Sequence, residues 1–165
     1  MVSETVMKFR AVLIATFLIL LAVSFNIAAQ QNPVKPSPKD KCPVCGMFVA
    51  KSPDWVGEII FRDGSVAFFD GAKDLFKYYL NLKKYNPNLT TADVGAIYVT
   101  EYYNLKMIDG YTALFVIGSD VYGPMGRELI PFETLDDARS FMKDHKGERI
   151  LRFKNVRARL LKKLD

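Results

Sequence analysis

Histidine and cysteine, the usual carriers of nucleophilic catalysis and metal ligation, are scarce in this chain: one histidine, His145, and two cysteines, Cys42 and Cys45, among 165 residues. A lone, distant histidine does not make a Ser-His-Asp triad. Structural zinc normally takes four Cys or His ligands, and here no second cysteine pair follows the first. A phosphate-binding glycine loop is missing, and the carboxylates do not form pairs with a catalytic context. Nothing demands an enzyme, and a non-catalytic protein is expected. The net charge of +5 is mild and dispersed. Its basic residues are not interleaved with aromatics as a nucleic-acid-binding motif would require, so no nucleic acid is expected as partner.

The N-terminus is there in strength. Lys8 and Arg10 precede an uncharged apolar run from Ala11 to Ala29, the pattern of an export signal. The run is also close to the roughly 20 residues that span a bilayer. Residues 1–29 are therefore expected to be a signal peptide or a retained membrane anchor, with the remainder on the extracytoplasmic side. No cysteine lies near the end of the run, so a lipid-attachment cysteine is lacking. Residues 30–41, with prolines at 33, 36 and 38, read as an extended linker.

From Cys42 onward the hydrophobic pattern is that of one compact domain or two small lobes sharing a core. Val56–Phe61 and Ser65–Phe69 are β-prone runs joined by Arg62-Asp63-Gly64, a hairpin signal. Asp70 is placed to cap a helix whose apolar stripe is Ala72, Leu75, Phe76, Tyr79 and Leu80. Ala96–Tyr103 returns as a strand. The cycle then repeats: Tyr111–Ile117 as a strand, a glycine-rich loop over 118–127, Glu128–Phe132 as a strand, a helix capped by Thr134, and Arg149–Phe153 as a last strand. The expected fold class is α+β, two related units with approximate limits 42–103 and 104–156, followed by a basic tail over 157–165.

The sulfur atoms are gathered unusually. Cys42-Pro43-Val44-Cys45-Gly46-Met47 holds three soft donors in six residues, and thiolate and thioether favour soft ions such as Cu(I). In an extended backbone Cys45 and Met47 would share one face, with Cys42 joining through a turn. Met125, in Gly123-Pro124-Met125-Gly126, is flanked by glycines and is the candidate to complete the site; Met107 and Met142 fit core positions. A Cys42–Cys45 disulfide would close a tiny loop and stabilise little. Thiol–disulfide exchange through the same pair is the other reading, although a redox cysteine normally opens a helix. A zinc site would have to borrow carboxylates.

Cys42-Pro43-Val44-Cys45-Gly46-Met47-Phe48-Val49, Asp63-Gly64, Phe68-Phe69-Asp70, Ile97-Tyr98-Val99-Thr100, Pro124-Met125-Gly126, Pro131-Phe132 and Asp137-Ala138 resemble the NosL family of copper accessory factors for nitrous-oxide reductase. The resemblance covers nearly all of 42–156. It implies an extracytoplasmic Cu(I)-binding chaperone of two ββαβ-type units with antiparallel sheets, delivering copper to a receiving protein or maturation complex. The metal ligands it implies are Cys45 and Met47 first, then Met125, with Cys42 as an addition. Family members are commonly lipoproteins anchored through an N-terminal cysteine. Without that residue, any anchor here would be the apolar helix, left uncleaved in the membrane. The alternative is a membrane-tethered thiol–disulfide oxidoreductase using Cys42 and Cys45.

Overall fold

The computed structural model describes residues 31–165; the apolar segment expected to be a signal or anchor lies outside the described residues. Among the described residues no helix is long and apolar enough to cross a membrane.

Strands β1 (Gly57–Phe61) and β2 (Val66–Phe69) form the expected hairpin, and helix α1 (Ala72–Leu80) follows directly. A short α2 (Leu82–Tyr85) leads to β3 (Val94–Thr100) and β4 (Met107–Asp109), giving an antiparallel sheet ordered β2-β1-β3-β4. The second cycle runs β5 (Leu114–Ile117), a two-residue ribbon of β6 (Tyr122–Gly123) and β7 (Gly126–Arg127), then β8 (Ile130–Phe132). Helix α3 (Leu135–Asp144), β9 (Arg149–Arg152) and a terminal α4 (Ala158–Leu161) complete it. Its sheet is antiparallel and ordered β8-β5-β9.

The first strand of each cycle is thus central, flanked on one side by the second and on the other by the strand after the helix. This is the α+β repeat that the sequence pattern implies. One departure matters. β4 pairs with β3 in the first sheet, so that sheet recruits residues beyond the division at 103/104. Pro131 lies on β8, an edge strand, where a residue without an N–H is tolerated.

Side-chain alternation on β5 ties the two cycles together. Leu114 and Val116 pack with Ile130, Phe132, Ala138 and Phe141 in a cluster beneath α3. Phe115 and Ile117 face the other way, into a larger core shared with Ile59, Phe69, Leu75 and Phe76. Phe76 of α1 meets Phe115 edge-on at 5.0 Å between ring centroids and Phe153 at 4.8 Å. Helix α3 starts as anticipated, the Thr134 hydroxyl accepting from the Asp137 N–H at 3.1 Å. The basic tail docks: Leu161 and Leu164 are buried in the shared core.

The beginning of the linker is strapped across the first sheet. The Tyr98 hydroxyl donates to the Gln31 carbonyl at 2.6 Å, and the Gln31 amide donates to the Phe61 carbonyl at 3.0 Å. The Val34 N–H donates to both carboxyl oxygens of Glu58, at 3.0 and 3.1 Å. Burial pushes Glu58 up to about 7 from an ordinary value of 4.5, and the wholly buried Glu128 up to about 8. Below pH 4.5 both groups are protonated whether the chain is folded or not. Above it the unfolded chain releases protons that the folded chain retains. The stabilising contribution of these two groups is therefore lost as pH rises through about 7 and 8. Urea midpoints should fall between pH 5.5 and pH 8, and Glu58→Gln with Glu128→Gln should flatten that fall. An unchanged slope in the double variant would remove these carboxyls as its source.

Candidate metal centre

Between the bridged residues Lys41 and Phe48 the chain must reverse within six residues. The Cys42 N–H donates to the Met47 carbonyl and the Gly46 N–H to the Cys42 carbonyl, each at 2.9 Å. Gly46 takes φ +80°, a conformation that side-chain-bearing residues avoid. The extended Cys45–Met47 edge expected from the sequence is therefore a closed turn, and these two residues do not share a strand face. The turn has its own logic for sulfur. Main-chain N–H groups of Val44 and Cys45 serve the Cys42 sulfur, and that of Met47 serves the Cys45 sulfur. Such donors stabilise a thiolate.

Opposite the turn lies the junction of β2 and α1. Asp70 does not cap the helix: Gly71 is the N-cap residue, and the side chain that bonds in the first turn is that of Glu128, accepting from the Lys73 N–H. Asp70 is instead buried, accepting from the Cys45 thiol at 3.2 Å. Asp74, in the first turn of α1, accepts from the Cys42 thiol at 3.4 Å. One donor atom from each of Cys42, Cys45, Asp70 and Asp74 lies within 4.8 Å of all the others. Asp70 Oδ2 is buried without a hydrogen-bond partner among the described residues. A buried, unpaired oxygen on a carboxylate that already meets a thiol is the local environment a cation would relieve.

Both cysteines are free thiols. Burial pushes the Cys42 thiol far up from its usual value and that of Cys45 up to about 11, against the pull of the main-chain donors. A thiol–disulfide nucleophile needs the opposite displacement. A metal ion would replace the protons on sulfur, and the two aspartates already stand where those protons point. The carboxylates that a zinc site would have needed are also present, so two thiols and two carboxylates form a donor set open to more than one metal.

The two methionines stand differently. Met47 is half-buried on the turn itself. Met125, at the tip between β6 and β7, is exposed, but its backbone is fastened to α1: the buried Lys73 ammonium donates to the Met125 carbonyl at 2.7 Å. Glu128 completes that fastening, accepting from the Lys73 N–H at 2.5 Å and the Leu129 N–H at 2.9 Å. A Cβ on Gly71 would collide with the Glu128 carboxylate, so glycine is what lets the second lobe's loop approach the helix start. His145 is elsewhere, 3.2 Å from Asp120 and stacked on Phe141. Sequence reasoning missed Asp70 as a site residue, and it missed Asp74, Lys73 and Glu128 altogether. The i, i+4 spacing of Asp70 and Asp74 at a helix start was the one available signal.

Fold and site together define a small two-lobed α+β protein able to hold a metal ion between a cysteine turn and a helix start. The chain belongs to the NosL family, whose model matches residues 33–161. It is 28% identical over 153 residues, 92% of this chain and 80% of the relative, to the copper-binding lipoprotein NosL of Stutzerimonas stutzeri. The crystal structure of the copper chaperone NosL from Shewanella denitrificans superposes with a TM-score of 0.66 at 24% identity, covering 79% of this chain and 98% of that one. That likeness establishes the shared fold.

Proposed function

We propose that this chain is an extracytoplasmic Cu(I) carrier that passes copper to a receiving protein or maturation complex. The observation that carries this reading is the convergence of two free thiols with a buried, unpartnered aspartate oxygen. Relatives named as a copper-binding lipoprotein and a copper chaperone support the choice of ion, and so does the preference of sulfur for Cu(I). Cys42 and Cys45 hold the ion, Met47 adds a thioether from the same turn, and Met125 approaches from the second lobe. The thiol protons leave towards Asp70 and Asp74 as the metal enters.

Delivery follows from partial exposure of the donors, Cys45 and Met47 being half-buried and Met125 exposed. A site on a turn at the surface of a rigid domain is open to an incoming ligand, and each displaced sulfur regains its proton from the neighbouring carboxylate. A carrier of this kind needs no catalytic step. The apolar N-terminus exports the domain and, if retained, holds it at the membrane; the lipoprotein relative supports attachment. The rival oxidoreductase reading depends on both cysteines and is indifferent to thioethers. Met47→Leu and Met125→Leu are therefore expected to weaken Cu(I) binding, each by about tenfold to 100-fold, the range for groups that tune a site. The check is competition with a Cu(I) chelator under reducing conditions. Unchanged affinity in both variants would remove the methionines from the site.

A further inference from the structure

A concave cavity of about 480 Å³ opens beside the cysteine turn, lined by Val44 of that turn together with Lys77, Lys84, Tyr85, Leu161 and Lys162. Three lysines surround it, and one carboxylate already sits there. Asp165 Oδ1 lies 2.5 Å from Lys77 Nζ and 3.7 Å from Nζ of Lys73, whose side chain is only 2% exposed. Lys77 also faces Asp74 of the metal centre at 3.6 Å. Lys84 and Lys162 are exposed, and Lys84 lies over the Tyr85 ring at 4.9 Å.

We propose that this cavity is a docking pocket for an acidic segment of the protein that exchanges copper with this chain, and that the Asp165 side chain occupies it in the free protein. The partner's identity rests on the copper reading; the pocket's chemistry does not. A carboxylate placed between the half-buried Lys77 ammonium and the buried one of Lys73 defines the group the pocket accepts. Its lysines at the rim and apolar residues Val44 and Leu161 in the wall suit an acidic peptide carrying some apolar surface. The concavity fits a peptide rather than the flat face of a bilayer. Val44 belongs to both the pocket and the Cys42–Cys45 loop, so a segment docked there brings its own protein's ligands beside the sulfurs.

The test uses the full chain, reduced and copper-free, with acetylated hexaglutamate as the probe. Saturable binding at one peptide per chain is expected, with amide shifts at Val44 and Tyr85. Lys84→Glu with Lys162→Glu should weaken it by about tenfold or more. Asp165→Asn removes the internal competitor and should tighten binding by about two- to fivefold, the range of a surface ion pair. Melting temperatures close to wild type would show that these exposed changes leave the fold intact. Binding that ignores the lysine charge reversal would overturn the pocket, and binding that ignores Asp165→Asn would overturn its self-occupancy. Lysine-dependent binding to phosphatidylglycerol vesicles without any binding of the peptide would assign the surface to a membrane and also overturn the proposal. Because the titration contains no copper, a chain that loads Cu(I) but ignores the peptide fails here alone. A chain that binds the peptide but no Cu(I) fails only the carrier reading.

Discussion

Replacing Cys42 and Cys45 together by serine is expected to lower Cu(I) affinity by well over the roughly 100-fold that outer-shell changes typically cost. The reason is the mismatch between ion and donor. Serine keeps the size, the turn and a hydrogen bond to each aspartate, but it exchanges a polarisable sulfur for a hard oxygen that Cu(I) binds poorly. The single changes should separate the two positions. Cys45 is half-buried at the mouth and Cys42 is 1% exposed, so Cys45→Ser removes the donor nearer to an incoming ligand. Asp70→Asn and Asp74→Asn leave both sulfurs in place and should cost less, about 10- to 100-fold, through lost proton acceptance and orientation. Competition against a chromophoric Cu(I) chelator in reducing buffer measures all of these. A double serine variant within tenfold of wild type would place the copper elsewhere.

Phe76→Ala is expected to be the most damaging single change to the fold, at about 3–5 kcal/mol. Phe76 is buried at 1% exposure and stands where the lobes meet, against Phe115 of β5 and Phe153. Alanine leaves a cavity bounded by α1, both sheets and the docked tail, elements that cannot all move inward at once. For a domain of this size such a loss corresponds to a fall in melting temperature on the order of 10–20 °C. The effect should reach the metal centre, since α1 carries Asp74 at its first turn and Phe76 two residues later. Thermal unfolding followed by near- and far-ultraviolet circular dichroism tests this. A shift of only a few degrees would show that the lobes do not depend on this helix for their junction.

Much of the fold is written in local pattern. Alternation, the Asp63-Gly64 turn, the stripe on α1 and the Thr134 cap each act over a few residues, so the repeated strand, strand, helix, strand order was legible. The strand β4 was not anticipated as a partner of β3, because a three-residue edge strand carries too little periodicity to announce its neighbour. The strap from Gln31 to Val34 was equally silent: it is held by Tyr98, Phe61 and Glu58, which lie far along the chain.

At the site, the cysteines and methionines declared themselves through composition. Their partners did not. Asp70 reads as a helix cap from sequence because an aspartate before a helix usually is one; only the packing of the turn against the helix start brings it to Cys45. Asp74 looks like a first-turn aspartate favoured by the helix dipole, and its burial beside Cys42 is a tertiary fact. The extended geometry expected for Cys45 and Met47 does not form because Gly46 adopts the left-handed backbone that closes the turn.

Copper-edge X-ray absorption of the reduced chain loaded with one equivalent of Cu(I) tests the central claim most directly. The account predicts one bound copper per chain, in the monovalent state, with a coordination shell dominated by sulfur that is lost in the Cys42→Ser, Cys45→Ser variant. A shell of only oxygen and nitrogen, or a sulfur shell that survives loss of both cysteines, would contradict it.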